Sequence, residues 1–255
     1  MIVPLDQDSI AALADIRVAF PSQPVALVGA AALGCHLSMK WRRTEDLDLV
    51  IAVSVEDAAR ALGSLPRWKQ NERKEHEWRS PRGAVVDVLP VSKDALERRV
   101  LVWPRTGYQM SLIGIRHALA APSHQFGDGL ELAVPTVPVI ALLKMVSYLD
   151  RPAERERDLV DLAHIFNDYP SSDDDRLYAA EVYEHGLHLE SAPPFVLGRE
   201  IAAVVDTVEA DAVRRFLDRV RNADLLRFVT LGPWPGSEPE RVEARIDAFA
   251  TGFLG

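Results

Sequence analysis

The chain has 255 residues, of which 48% are hydrophobic and 26% charged, and carries a net charge of −9. That length holds one large domain or two of roughly 100–150 residues. No apolar run approaches the roughly 20 residues that span a bilayer, and the acidic balance argues against a surface that grips nucleic acid broadly, because such affinity comes from neutralised phosphates. Cys35 is the only cysteine, so an intramolecular disulfide and a cysteine-based zinc site are excluded, and a cytoplasmic location is the default expectation. Met1 to Asp6 has neither the basic n-region nor the long apolar stretch of a secretory leader, so none is expected.

In chain order, residues 8–20 read as a helix with Asp8 or Ser9 as N-cap and Ile10, Leu13, Ile16 and Val18 on its apolar side. Val25 to Val28 reads as a short buried strand that Gly29 ends, and Ala30 to Met39 as the helix that follows. Arg42, Arg43 and Thr44 form a turn before a strand over Asp46 to Val53. Ser54 caps a helix to about Leu62, with Glu56 and Asp57 favourably placed against its dipole. Strands are expected near 74–80 and 83–90, joined by the turn Pro81-Arg82-Gly83. Residues 91–135 predict short strands, a helix near Ser92 to Arg99 and a loop around Ser123 to Gly129. Thr136 and Pro138 open a helix to about Leu149, and a second covers Ala153 to Asn167, stopped by Pro170. Further helical patterns cover 173–187, 194–206, 209–222 and 238–253, with Asp206, Glu209 and Asp211 in capping roles at a helix junction. The fold class is α+β, a mixed β-sheet with flanking helices followed by a helical C-terminal region. The domains implied are 1–134 and 135–255.

Two carboxylates break the Asp46–Val53 strand. Residues i and i+2 of a strand share a face, with Cα atoms about 6.5–7 Å apart. Asp46 and Asp48 therefore repel each other unless a cation sits between them. A hard divalent ion suits such oxygens and a phosphate-bearing substrate. Asp87, in the apolar run Ala84 to Leu89, is placed to add a third carboxylate. Gly29-Ala30, between strand and helix, offers close backbone approach and free N–H groups for phosphate. Three such carboxylates with two metal ions would clamp an in-line phosphoryl displacement, Asp87 taking the acceptor's proton. Lys144 is a lone charge in the apolar helix Val139 to Leu149. It either snorkels, contacts substrate phosphate together with Arg151, or is neutralised by Asp158 and Asp161. His36 reads as a core or interface histidine. Lys69, Arg73, Lys74 and Arg79, among three glutamates of the Arg67–Arg82 segment, read as a solvated hairpin face.

These residues resemble the DNA polymerase β-like nucleotidyltransferase superfamily, and more narrowly the AbiEii-type nucleotidyltransferases of toxin–antitoxin systems. The resemblance rests on Gly29-Ala30 with Leu33, on Arg42-Arg43-Thr44-Glu45-Asp46-Leu47-Asp48, on Val86-Asp87-Val88, and on Lys144, Arg151 and Arg157-Asp158-Leu159-Val160-Asp161. It covers about residues 24–165. It implies a nucleotidyltransferase core over 1–134 and a helical domain over 135–255 that completes the nucleotide site, with residues 170–255 left without a role. It further implies transfer of a nucleoside monophosphate from an NTP to an acceptor hydroxyl (a tRNA end, a protein side chain or a small molecule) with Mg²⁺ or Mn²⁺. Asp46, Asp48 and Asp87 would bind metal and act in catalysis; Gly29, Ala30, Arg42, Thr44, Lys144 and Arg151 would bind nucleotide. An antitoxin protein is the implied partner, and Lys40 to Arg43 and Arg67 to Arg82 are the basic segments available to a tRNA end. The competing readings are a catalytically silent nucleotide- or antitoxin-binding protein and a metal-dependent phosphohydrolase.

Overall fold

Alternation of buried with half-buried or exposed residues over 46–49, 77–79 and 85–90 decides which way each side chain faces. Leu47, Leu49, Val86, Val88 and Trp78 are buried, while Asp46, Asp48, Asp87 and Glu77 between them are only half-buried. The computed structural model describes residues 5–127, 129–234, 236 and 238–255. Met1 to Pro4, within the stretch that carries the leader expectation, and Asp128 of the expected Ser123–Gly129 loop lie outside the described residues. The chain divides into two compact units, Met1–Thr136 and Val137–Gly255.

The first unit begins with α1 (Gln7–Ala19), then β1 (Val25–Val28), α2 (Gly29–Gly34), β2 (Asp46–Ile51) and α3 (Val55–Gly63). The N-cap of α1 is Asp6 rather than Asp8 or Ser9: Asp6 Oδ1 accepts the Ser9 N–H at 2.7 Å, which leaves Asp8 in the first turn. Helix α2 stops at Gly34, short of Met39. Its end tightens through i→i+3 bonds, Cys35 N–H to Ala32 O and His36 N–H to Leu33 O, and the chain then leaves the helical path. Ser54 caps α3 as its sequence implies, its Oγ accepting the Asp57 N–H at 3.1 Å.

There follow β3 (Lys69–Gln70), β4 (Glu77–Arg79), β5 (Val85–Pro90), α4 (Lys93–Arg98), β6 (Val100–Val102), β7 (Gln109–Ser111), α5 (Ile115–Leu119), β8 (Ser123–Gln125) and β9 (Glu131–Ala133). Seven strands form one mixed sheet in the order β3-β4-β5-β2-β1-β9-β8, and β6 and β7 pair separately. β2 runs antiparallel to β1 and parallel to β5, and β4 antiparallel to β5. The first half of the expected Ser123–Gly129 loop is strand β8, antiparallel to β9. It lies at the sheet edge, where polar Ser-His-Gln exposes no apolar alternation to read.

The second unit is helical: α6 (Val137–Asp150), α7 (Glu156–Asp168), α8 (Ala180–Glu184), α9 (Ala192–Ala202), α10 (Thr207–Arg219), α11 (Leu225–Leu231) and α12 (Pro239–Leu254). The pattern over 173–187 is broken into a 3₁₀ turn at Asp175–Tyr178 and the short α8. Asp174 is the reason: its Oδ1 accepts the Arg176 N–H at 3.0 Å and the Arg176 Nε–H at 2.8 Å, local bonds that compete with the helical ladder. Asp206 and Glu209 form a capping box at the start of α10. Buried Phe166, Phe216, Phe228 and Phe249 fill the core of this unit. Among the described residues no helix is long and apolar enough to cross a membrane.

Candidate active site

Strand register brings the acidic side chains of the first unit together. Asp46 and Asp48 share one face of β2. Parallel pairing sets Asp48 directly opposite Asp87 on β5, and antiparallel pairing sets Glu77 of β4 opposite Asp87. Directly opposed residues point the same way, so Asp48, Asp87 and Glu77 form a row over three neighbouring strands, about 4.8 Å per strand, with Asp46 beside it.

Gly29 shapes one end of that row. Its φ is +64°, and a Cβ built on it would lie 2.0 Å from Asp48 Oδ2. A side chain at this position and the Asp48 carboxylate cannot both occupy that space, so glycine is required here on two counts. Val28, the last residue of β1, pairs with Asp48 and fixes the approach. Because α2 is only six residues long, the contribution of Gly29 is room beside Asp48 rather than a strong helix dipole. Ala30 is buried behind it, and half-buried Arg42 and exposed Thr44 lie on the segment leading into β2.

The row is electrostatically costly, since like charges opposite one another on a sheet repel. Basic and polar groups gather on its outer side. His76 Nε2 stands 3.8 Å from Asp87 Oδ2. Lys74 Nζ donates to Glu77 Oε2 at 2.8 Å, and Asn71 Nδ2 donates to Glu77 Oε1 at 2.6 Å. These two bonds hold the Glu77 carboxyl below its ordinary range. Lys74 is pushed above the usual lysine range, first by its hydrogen bond to Glu77, with the negative charges of Asp87 and Asp46 adding to it. Glu77, Lys74 and His76 are the site residues that sequence reasoning missed. The turn Pro81 to Gly83 was their signal: counting back across it in antiparallel register from Asp87 reaches Glu77.

The second unit places Lys144 elsewhere in chemical terms. Its ammonium is buried and donates to Asp158 Oδ1 at 3.0 Å and to the fully buried Asp161 Oδ2 at 2.7 Å. Of the three alternatives for Lys144, neutralisation by Asp158 and Asp161 is the arrangement present. Arg151, just beyond α6, pairs with Glu154 at 3.0 Å. Histidine 36 is exposed rather than in the core, its Nε2 2.8 Å from the Pro135 carbonyl. Burial pushes the Cys35 thiol up to about 11, which suits packing and not nucleophilic chemistry.

Among the described residues, no three His, Cys, Asp or Glu side chains are gathered tightly enough to make a ready cage for a metal ion. The donor set nevertheless fits a hard divalent ion: carboxylate oxygens from two adjacent strands face one way, and the bare Gly29 leaves space at Asp48. A cleft of about 270 Å³ lies on the opposite face of the sheet, against Trp78, Val88, Ala58 and Trp103. Trp78 and Val88 alternate with Glu77 and Asp87 along their strands, so this cleft is not where the carboxylates point.

A mixed sheet that aligns acidic side chains from neighbouring strands beside a glycine turn fits a nucleotidyltransferase core, and the chain is a nucleotidyltransferase. It belongs to the AbiEii family: a family model described as nucleotidyl transferase AbiEii toxin, type IV toxin–antitoxin system, matches residues 11–231. Among solved structures, similar chains include an antigenic nucleotidyltransferase-like protein from Paracoccidioides brasiliensis, at 16% identity over 90% of this chain and 96% of that one, with a TM-score of 0.41. Another is JHP933 from Helicobacter pylori, at 13% identity over 99% of this chain and 93% of that one, with a TM-score of 0.36. No curated protein matches the chain.

Proposed function

We propose that the chain transfers a nucleoside monophosphate from an NTP to an acceptor hydroxyl and releases pyrophosphate, as the toxin of a toxin–antitoxin pair. The observation that carries this reading is the register that sets Asp48 opposite Asp87, with Asp46 on the same face and the bare Gly29 against Asp48. Asp46, Asp48 and Asp87 would hold Mg²⁺ or Mn²⁺. When bound, a divalent ion neutralises charge on the transferring phosphoryl group and its leaving oxygen.

The residues themselves do the rest. Asp87 takes the proton from the acceptor hydroxyl as its oxygen bonds to the α-phosphorus and the bond to pyrophosphate breaks. The Gly29-Ala30 backbone N–H groups, Arg42 and Thr44 bind the nucleotide. The resemblance also assigns Lys144 and Arg151 to the triphosphate; the Lys144 ammonium is held by Asp158 and Asp161, and unchanged NTP binding by a folded Lys144→Arg variant removes it from the nucleotide site. An antitoxin protein is the partner, and the cytoplasm the compartment, in this reading.

Incubation with Mg²⁺, each α-labelled NTP in turn, and total tRNA or cell extract tests it. Label joined to an acceptor supports transfer. Free labelled monophosphate without labelled acceptor supports the phosphohydrolase instead, and nucleotide binding without turnover supports a silent binding protein.

A further inference from the structure

The loop between β3 and β4 is tied down by one side chain. Asn71 Oδ1 accepts the N–H of Arg73 at 2.8 Å and that of Lys74 at 3.2 Å, while its Nδ2 donates to Glu77. The same loop returns Lys74 Nζ to the other oxygen of Glu77. Both Glu77 oxygens are thus engaged by this chain, and Glu77 serves as the anchor of an ammonium rather than as a further metal ligand. Glu77 in turn stands opposite Asp87. The loop therefore delivers one positive charge, fixed by two hydrogen-bonded tethers, to the outer end of the Asp48–Asp87–Glu77 row.

Resting on the proposed metal-dependent reading, we infer that Lys74 sets how tightly this carboxylate row takes its divalent ion, its Glu77-tethered ammonium serving as the resident counter-charge that the metal competes with. Three aspartates and a glutamate facing one way need positive charge nearby in the metal-free protein. Lys74 supplies it. A divalent ion held by Asp48 and Asp87 would be repelled by the ammonium one strand away. The Lys74 side chain is 58% exposed, so solvent screens its charge and the competition is worth a few-fold in affinity rather than orders of magnitude.

Mn²⁺ titration of the full-length, metal-free protein without nucleotide, by calorimetry, reads this directly. Lys74→Met binds Mn²⁺ about three- to tenfold tighter than wild type, and Lys74→Arg stays within about twofold of wild type. The gain from Lys74→Met shrinks in about 1 M salt, where the screening length is about 3 Å. Metal-free Lys74→Met also melts about 2 °C lower, from lost counter-charge. Unchanged or weaker Mn²⁺ binding in Lys74→Met overturns the inference, as does a gain that persists undiminished at high salt. Wild-type binding that vanishes in Asp48→Asn yet ignores Lys74→Met removes only the role of Lys74. No Mn²⁺ binding in any variant, or equal binding in Asp48→Asn, removes the metal site and this inference together.

Discussion

Two groups of acidic side chains in this molecule are treated in opposite ways. In the helical unit, Asp161 is fully buried and Lys144 is 4% exposed, and Asp158 and Asp161 meet the Lys144 ammonium at 3.0 and 2.7 Å. On the sheet, Asp46, Asp48 and Asp87 stay half-buried, and His76 approaches Asp87 only to 3.8 Å. Charges taken out of water must be satisfied when the chain folds, or folding fails. Charges at a half-open face can be completed later by a ligand. The first group is satisfied within the fold and the second is where the proposed chemistry is placed, although both look like anomalous charges in apolar sequence.

That contrast predicts separable mutant effects. The largest is on activity: Asp48→Asn or Asp46→Asn lowers transfer by about 10³-fold or more, roughly 4 kcal/mol of transition-state stabilisation. Thermal melts of these variants stay at or above wild type, because a repelling charge is removed. A melting temperature that drops along with activity would merge the two groups. Next comes Lys144→Ala, which strands the Asp161 charge in the core and costs about 3–5 kcal/mol of stability. Its melting temperature falls by about 10 °C at roughly 2–4 °C per kcal/mol, and adding Asp161→Asn restores part of the loss. Lys144→Ala with wild-type stability would show that the pair is not structural.

Gly29→Ala tests the joint between fold and chemistry. The positive φ costs about 1–2 kcal/mol for a residue with a Cβ, and the new methyl evicts the Asp48 carboxylate. Activity falls further than stability alone explains, measured as kcat at a temperature well below the melt. The smallest effect is a pH dependence away from the sheet. Arg176 holds Asp174 down to about 2, mainly through their side-chain hydrogen bonds. A depressed carboxyl stabilises the fold above its unfolded pKa, and that stability is lost as pH falls from about 4 through 2. Arg176 is 39% exposed, so solvent screening cuts the contribution to about 1 kcal/mol. Melts at pH 5 and pH 3 check it, with Asp174→Asn flattening the difference.

The sequence made some of this legible and hid the rest for definable reasons. Asp46 and Asp48 stand out because a period of two puts both on one face of an otherwise apolar strand. Lys144 stands out because a lone charge interrupts an apolar helix, and its partners Asp158 and Asp161 lie at helical spacing on the next one. The capping serines and the Asp206–Glu209 box are local chemistry and read directly. Which strand lies beside β2 is not local. The Asp48–Asp87 register joins residues 39 positions apart and follows from the whole sheet. Glu77 escaped because β4 is three residues long with Trp78 as its single buried side chain, too short for a pattern, and Lys74 reads from sequence only as one charge of a solvated hairpin face. The sequence overstates the length of α2 because an alanine-rich stretch favours helix up to the point where Gly34 and the following turn end it.

The most direct measurement is transfer of α-labelled nucleotide with Mg²⁺ and cell extract, run in parallel on wild type and on an Asp48→Asn variant whose melting curve matches it. The account predicts labelled acceptor with wild type and none with the variant. Equal labelling by the two proteins would contradict it, because the reaction would then proceed without the sheet carboxylates.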